Sequence, residues 1–100
     1  MNITEINDGN LEKTVRENNK VILDCYAPWC GPCKMLSPVL EELSAEEKQI
    51  KFCKINTDEN PETSERFGIF SVPTILVFEN GELKKRETGF KTKEELKRLF

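Results

Sequence analysis

Apolar and polar positions change period along this 100-residue chain, and each change marks an element. A short strand is expected over Asn2–Ile6. A helix should follow, opened by Asp8 as N-cap, with Leu11 and Val15 four apart on one face and its end at Asn18-Asn19. Val21–Tyr26 is short, largely apolar and partly β-branched, as a central buried strand should be. Beyond Ala27-Pro28-Trp29 the spacing turns helical: Met35, Leu36, Val39, Leu40 and Leu43 predict a helix from Gly31 to Glu47, with Pro38 inside it as a bend. Lys51–Ile55 reads as a strand, and Asp58 as the cap of a short helix through Phe67. Thr74–Glu79 is a third apolar strand, and Asn80-Gly81 signals a hairpin. The return strand, Glu82–Thr88, is charged, as an exposed edge should be. Thr92 and Glu95 form a T-x-x-E capping box for a last helix ending at Leu99-Phe100. The order βαβαβαββα places the chain in the α/β class. Parallel pairing is expected, with helices on both faces of the sheet and an antiparallel edge from the hairpin.

Composition narrows the picture. The length suits a single domain over residues 1–100, and 37% apolar residues supply one modest core. Fifteen basic and eighteen acidic residues are interspersed and give a net charge of −3. No basic stripe marks a nucleic-acid footprint. The opening MNITEINDGN has neither the basic nor the apolar region of a secretory signal. The longest mostly apolar run, Gly68–Phe78, is too short to span a bilayer. A cytoplasmic protein without membrane partners, and a monomer, is the expectation.

The chemistry lies in the cysteines. There are four, with no histidine: Cys30 and Cys33 form a C-x-x-C pair, and Cys25 and Cys53 stand alone. In a chain without a secretory signal this pattern argues redox or metal chemistry before structural disulfides. Disulfide exchange needs a thiolate near neutral pH and a second thiol close enough to displace a mixed disulfide. A C-x-x-C opening a helix meets both needs. Cys30 would meet the unpaired N–H groups and positive end of the helix dipole, and Cys33 would lie within one turn of it. Pro32 fits the first turn, where its missing N–H costs nothing, and with Gly31 it sets the link between the sulfurs. The alternative is a zinc site completed by Cys25 and Cys53, but Cys25 precedes the pair by only five residues in an expected buried strand. No metal site is therefore assigned.

Asp24 is anomalous in a central strand. Alternation turns it away from Leu23 and Cys25. It is either a solvated or capping carboxylate at the strand end, or a buried acid beneath the sulfurs, raised in pKa and able to exchange a proton.

These residues together resemble the thioredoxin family over nearly the whole chain. Trp29-Cys30-Gly31-Pro32-Cys33-Lys34 matches its active-site motif without a mismatch. Asp24, six residues before Cys30, matches the family's buried aspartate, Pro38 its kinking proline and Lys54 the lysine beside that aspartate. Val72-Pro73-Thr74 resembles the segment with the cis-proline, and Gly89 the glycine of the substrate groove. The resemblance implies the thioredoxin fold, a mixed five-stranded sheet flanked by four helices. It also implies protein-disulfide reduction, with Cys30 as nucleophile, Cys33 as resolving thiol, Asp24 as proton acceptor and Lys54 tuning Asp24. Trp29, Val72, Pro73 and Gly89 would bind substrate. No cofactor would be bound; electrons would come from NADPH through a partner thioredoxin reductase and pass to disulfide-containing target proteins.

Cys25 and Cys53 depart from the family's usual aromatic and aliphatic residues. They read as inert buried side chains or as a second redox pair. Tyr26 replaces a common second tryptophan, and Phe70, before Pro73, either folds inward or enlarges the recognition surface. An oxidase or isomerase would commonly carry histidine between the cysteines, and a binding module would use the same groove without turnover. Gly31-Pro32 argues for the reducing side.

Overall fold

The computed structural model describes residues 2–100. Its elements follow the expected order: β1 (Ile3–Ile6), α1 (Leu11–Glu17), β2 (Lys20–Tyr26), α2 (Gly31–Glu46), β3 (Lys51–Asn56), α3 (Pro61–Phe67), β4 (Thr74–Glu79), β5 (Glu82–Thr88) and α4 (Lys93–Lys97). The strands form one mixed sheet in the order β1-β3-β2-β4-β5. β1, β3 and β2 are parallel, while β4 is antiparallel to both β2 and β5. Helix–strand alternation leads one to expect parallel pairing for β4 as well. Alternation encodes order rather than direction, and here β4 begins at Thr74 beside Cys25, at the end of the sheet where β3 also leaves it.

Strand alternation divides the core into two layers. Leu23, Cys25, Cys53, Ile55, Leu76 and Phe78 pack with Leu11 and Val15 of α1 on one face. Ile22, Phe52, Ile75 and Val77 pack with Leu36, Leu40 and Leu43 of α2 and Leu96 of α4 on the other. β2 lies between two partners and under helices on both sides, so Val21–Cys25 are all buried. β5 is an exposed edge, and charges occupy most of it. α2 runs through Pro38 without interruption. The hairpin turns on Asn80 and Gly81, both at positive φ (51° and 86°), a conformation for which Asn-Gly is suited. The Thr92–Glu95 capping box forms as read, although α4 stops at Lys97.

Two expected caps are reassigned. Asp8 does not cap α1, whose N-cap is Asn10. It caps α3 across the fold: its carboxylate accepts from Thr63 N (2.9 Å), Thr63 Oγ1 (2.6 Å) and Glu62 N (3.2 Å). Asn60, at the N-cap position of α3, accepts from Asp8 N and donates to Asn56 O, both at 2.8 Å. Asp58 lies outside the cap and serves Trp29 instead. Local spacing identified residues suited to capping but not the helix that each would reach. Because Asp8 satisfies N–H groups of a helix more than fifty residues away, Asp8→Ala should destabilise the protein by about 1–2 kcal/mol, read as a lower urea midpoint at unchanged slope. An unchanged midpoint would show that the cap adds nothing.

Candidate functional site

Where β2 gives way to α2, the backbone turns through Ala27, Pro28 and Trp29 and delivers Cys30 to the N-cap of a sixteen-residue helix. Cys30 has extended backbone (φ −86°, ψ 113°), and its sulfur accepts from Cys33 N at 3.1 Å. The sulfur thus occupies the place of a capping oxygen, where free N–H groups and the helix dipole favour negative charge. Pro32 lies in the first turn, as the missing N–H allows. Cys30 and Cys33 are joined as a disulfide, with Cα atoms 5.3 Å apart.

Both cysteines are largely covered, at 4% and 5% exposure, so access alone does not distinguish them. Position does. Cys33 lines a cleft of about 230 Å³ together with Asp24, Tyr26, Ala27, Pro28, Lys34, Ser37 and Lys54. Cys30 lies at the mouth of the helix, 3.6 Å from the carbonyl oxygen of Val72.

Asp24 is a buried acid, not a solvated strand end: it is 4% exposed, and Oδ1 has no hydrogen-bond partner among the described residues. Burial pushes its carboxyl up to about 7; the Lys54 ammonium opposes the rise and the Glu5 carboxylate adds to it. Lys54 is its register partner on β3. That lysine is ion-paired to Glu5 at 3.9 Å and lies 5.7 Å from the centre of the Tyr26 ring. The Tyr26 hydroxyl donates to Glu5, 2.9 Å from each carboxylate oxygen.

Of the expected binding residues, Val72 packs against the two cysteines, Trp29 precedes Cys30 in the chain, and Pro73 ties Gly89 to Val72. The Val72–Pro73 bond is cis, and Val72 packs beside Ala27, Cys30 and Cys33. The Pro73 ring is fully buried, while its carbonyl accepts from Gly89 N at 2.8 Å. Gly89 has φ 91°, which glycine adopts without strain. Trp29 is 71% exposed, with its indole N–H donating to Asp58 Oδ2 at 2.9 Å. Phe70 points outward, at 96% exposure. Gly31 and Pro32 are exposed beside the disulfide.

Cys25 and Cys53 do not join the other pair. They lie in the core layer under α1, and both are free thiols. Register places Cys25 beside Ile55 and Cys53 beside Leu23, so the two are diagonal rather than facing. A two-residue offset on parallel strands about 4.8 Å apart separates their Cα atoms by about 8 Å, too far for a bridge. Burial pushes their thiols up to about 12 and about 11. Three residues near the cleft were not read as part of the site from the sequence: Glu5, whose part depends on three-strand register; Tyr26, read only as a replacement for a tryptophan; and Asp58, read as a cap.

A bonded C-x-x-C at a helix N-terminus, over a cleft holding a buried carboxyl, defines a dithiol–disulfide exchange protein. Comparison with known proteins agrees. A sequence profile of the thioredoxin family matches residues 2–100. The chain is 51% identical over 80 residues to a thioredoxin of Bacillus subtilis (79% of this chain, 77% of that protein). It is 41% identical over 92 residues to one of Alicyclobacillus acidocaldarius (91% and 88%). The fold superposes with a TM-score of 0.90 on a mutant thioredoxin from Halobacterium salinarum, at 35% identity, covering 97% of this chain and 86% of that one. Mitochondrial thioredoxin 3 from Saccharomyces cerevisiae, in its oxidised form, also gives 0.90, at 30% identity and with 96% and 91% covered. This chain belongs to the thioredoxin family.

The raised Asp24 pKa has a consequence for stability. In the unfolded chain the carboxyl ionises near its ordinary 3.8, in the folded chain near 7. Stability is therefore fullest below the lower value and falls as pH rises between the two, by a total of about 4 kcal/mol. Asp24→Asn removes that loss. Its urea midpoint should gain on the wild type between about pH 4 and about pH 8. A constant difference between the two proteins would show that Asp24 ionises normally.

Proposed function

We propose that this chain reduces protein disulfides as a single domain, with Cys30 as nucleophile, Cys33 as resolving thiol and Asp24 as the proton acceptor for Cys33. The observation that carries the reading is the pairing of Cys30 and Cys33 at the first turn of α2, with Cys33 and Asp24 lining one cleft.

In the reduced protein, the Cys30 thiolate attacks one sulfur of a target disulfide. The target S–S bond breaks, its other sulfur leaves as a thiolate and takes a proton, and a Cys30–target disulfide forms. Cys33 then gives its proton to ionised Asp24 and attacks the Cys30 sulfur. The Cys30–target bond breaks, the second target sulfur is released, and the Cys30–Cys33 disulfide forms. Two electrons have passed from the pair to the target. The N–H of Cys33, 3.1 Å from the Cys30 sulfur, supports the first thiolate. A carboxyl that ionises near neutral pH suits Asp24 to take the second proton, and Lys54 across the strand pair tunes it. The cleft is large enough to admit a relaying water.

Gly31 and Pro32 form the active-site loop. Trp29, Val72 and Gly89 offer the target a surface that Pro73 shapes from beneath, with the exposed Phe70 widening it. The Val72 carbonyl beside Cys30 supports pairing with an extended target segment. A thioredoxin reductase drawing on NADPH restores the dithiol, and the protein works as a cytoplasmic monomer without a bound cofactor. No described helix is long and apolar enough to cross a membrane.

Insulin-disulfide reduction with a chemical reductant tests the assignment. The wild type should turn over well above the reductant alone, and Cys30→Ser should fall to that background, a loss on the order of a hundredfold or more. Equal rates for the two folded proteins would remove Cys30 as the nucleophile.

A further inference from the structure

Behind the cleft stands an ionisable residue, Glu5, with no part in the exchange steps. Register aligns Glu5 of β1, Lys54 of β3 and Asp24 of β2 in one row across three parallel strands. Adjacent strands lie about 4.8 Å apart, so the two acidic residues start about 10 Å from each other with the lysine between them. Solvent access is graded along the row: Glu5 is exposed, Lys54 half-buried and Asp24 buried.

The lysine reaches outward. Its ion pair is with Glu5, at 3.9 Å, and its ammonium lies 5.7 Å from the Tyr26 ring centre. Tyr26 stands two residues after Asp24 on the same strand and therefore on the same face. Its hydroxyl donates to both oxygens of Glu5. Glu5 thus receives a hydroxyl and an ammonium from two residues that line the cleft. The phenol is held as a donor: burial, then the hydrogen bond to Glu5, push its pKa up to about 12.

We propose that Glu5 is a positioning residue for the exchange reaction, holding the Lys54 ammonium on the outer side of the cleft and away from the Asp24 carboxyl. The proposal rests on the reading of Asp24 as proton acceptor. Its consequence is that Asp24 keeps its proton to a higher pH than a free Lys54 would allow. Two effects act in the same direction: the negative charge of Glu5 opposes ionisation of Asp24, and the pairing keeps the opposing positive charge at a distance. The remaining groups that face Asp24 are Cys33 and Lys34 from α2, Lys54 from β3 and Tyr26 from β2 itself, while β4 presents the apolar Ile75. In the oxidised protein Cys33 is held in the disulfide and does not titrate. The oxidised protein is therefore the form in which the effect of Glu5 is cleanly read.

The test follows the Asp24 carboxyl carbon by NMR against pH in oxidised wild type, Glu5→Gln and Glu5→Lys. Glu5 lies exposed on the short edge strand β1, which keeps both substitutions out of the core. The midpoint should fall by about half a pH unit in Glu5→Gln and further in Glu5→Lys. A midpoint unmoved in both variants, or raised, would overturn the proposal. Insulin-reduction rates against pH in wild type and Asp24→Asn test the acceptor reading separately. A pH inflection lost in Asp24→Asn and moved down in Glu5→Gln supports both. An inflection that survives Asp24→Asn removes Asp24 as acceptor and overturns the part of Glu5 in exchange, whatever the midpoints show. An inflection lost in Asp24→Asn but unmoved in Glu5→Gln overturns the Glu5 proposal alone.

Discussion

Asp24 sits in the middle strand of the five, with hydrogen-bonded neighbours on both sides and helices over both faces, and this keeps its carboxyl from water. A carboxyl so placed, with Oδ1 unpartnered among the described residues, resists ionisation until pH is near neutral. The fold accepts a loss of stability there, and in return the residue gains and gives a proton in the range where thiols exchange. The cleft, Lys54 and the row ending in Glu5 all derive their meaning from that buried group.

The two sulfurs are chemically alike and distinguished by the helix that holds them. Cys30 caps α2 and meets its first N–H groups; Cys33 lies inside the first turn and faces the cleft with Asp24. The same sheet carries two more cysteines, and their surroundings reverse the outcome. Cys25 and Cys53 are buried among leucine, isoleucine and phenylalanine on the opposite face, where burial holds the protons on.

Much of this was legible in the sequence because the controlling features are local. The helical spacing after Trp29, the Asn80-Gly81 turn and the Thr92–Glu95 box each rest on neighbours a few residues apart, and each appears where expected. Alternation turned Asp24 away from Leu23 and Cys25, but only the packing of α2 decided between a solvated strand end and a buried acid. What escaped depends on contacts between distant segments. Asp8 reads as a local cap, yet it serves α3. Asp58 reads as a cap, yet it holds the Trp29 indole. The direction of β4 shows only in its pairing with β2, and Glu5 matters only once β1 is laid beside β3 in register. The choice between an inert and a paired reading of Cys25 and Cys53 needed the register too, which sets them diagonal.

The helix terminus and the cleft make two neighbouring thiols chemically unequal. Residue-resolved mass spectrometry after brief iodoacetamide labelling of the fully reduced, folded protein, repeated across pH, measures this directly. Cys30 should label first and near neutral pH, with Cys33 far slower and Cys25 and Cys53 labelled only after unfolding. Equal labelling of Cys30 and Cys33 at every pH, or faster labelling of Cys33, would contradict it.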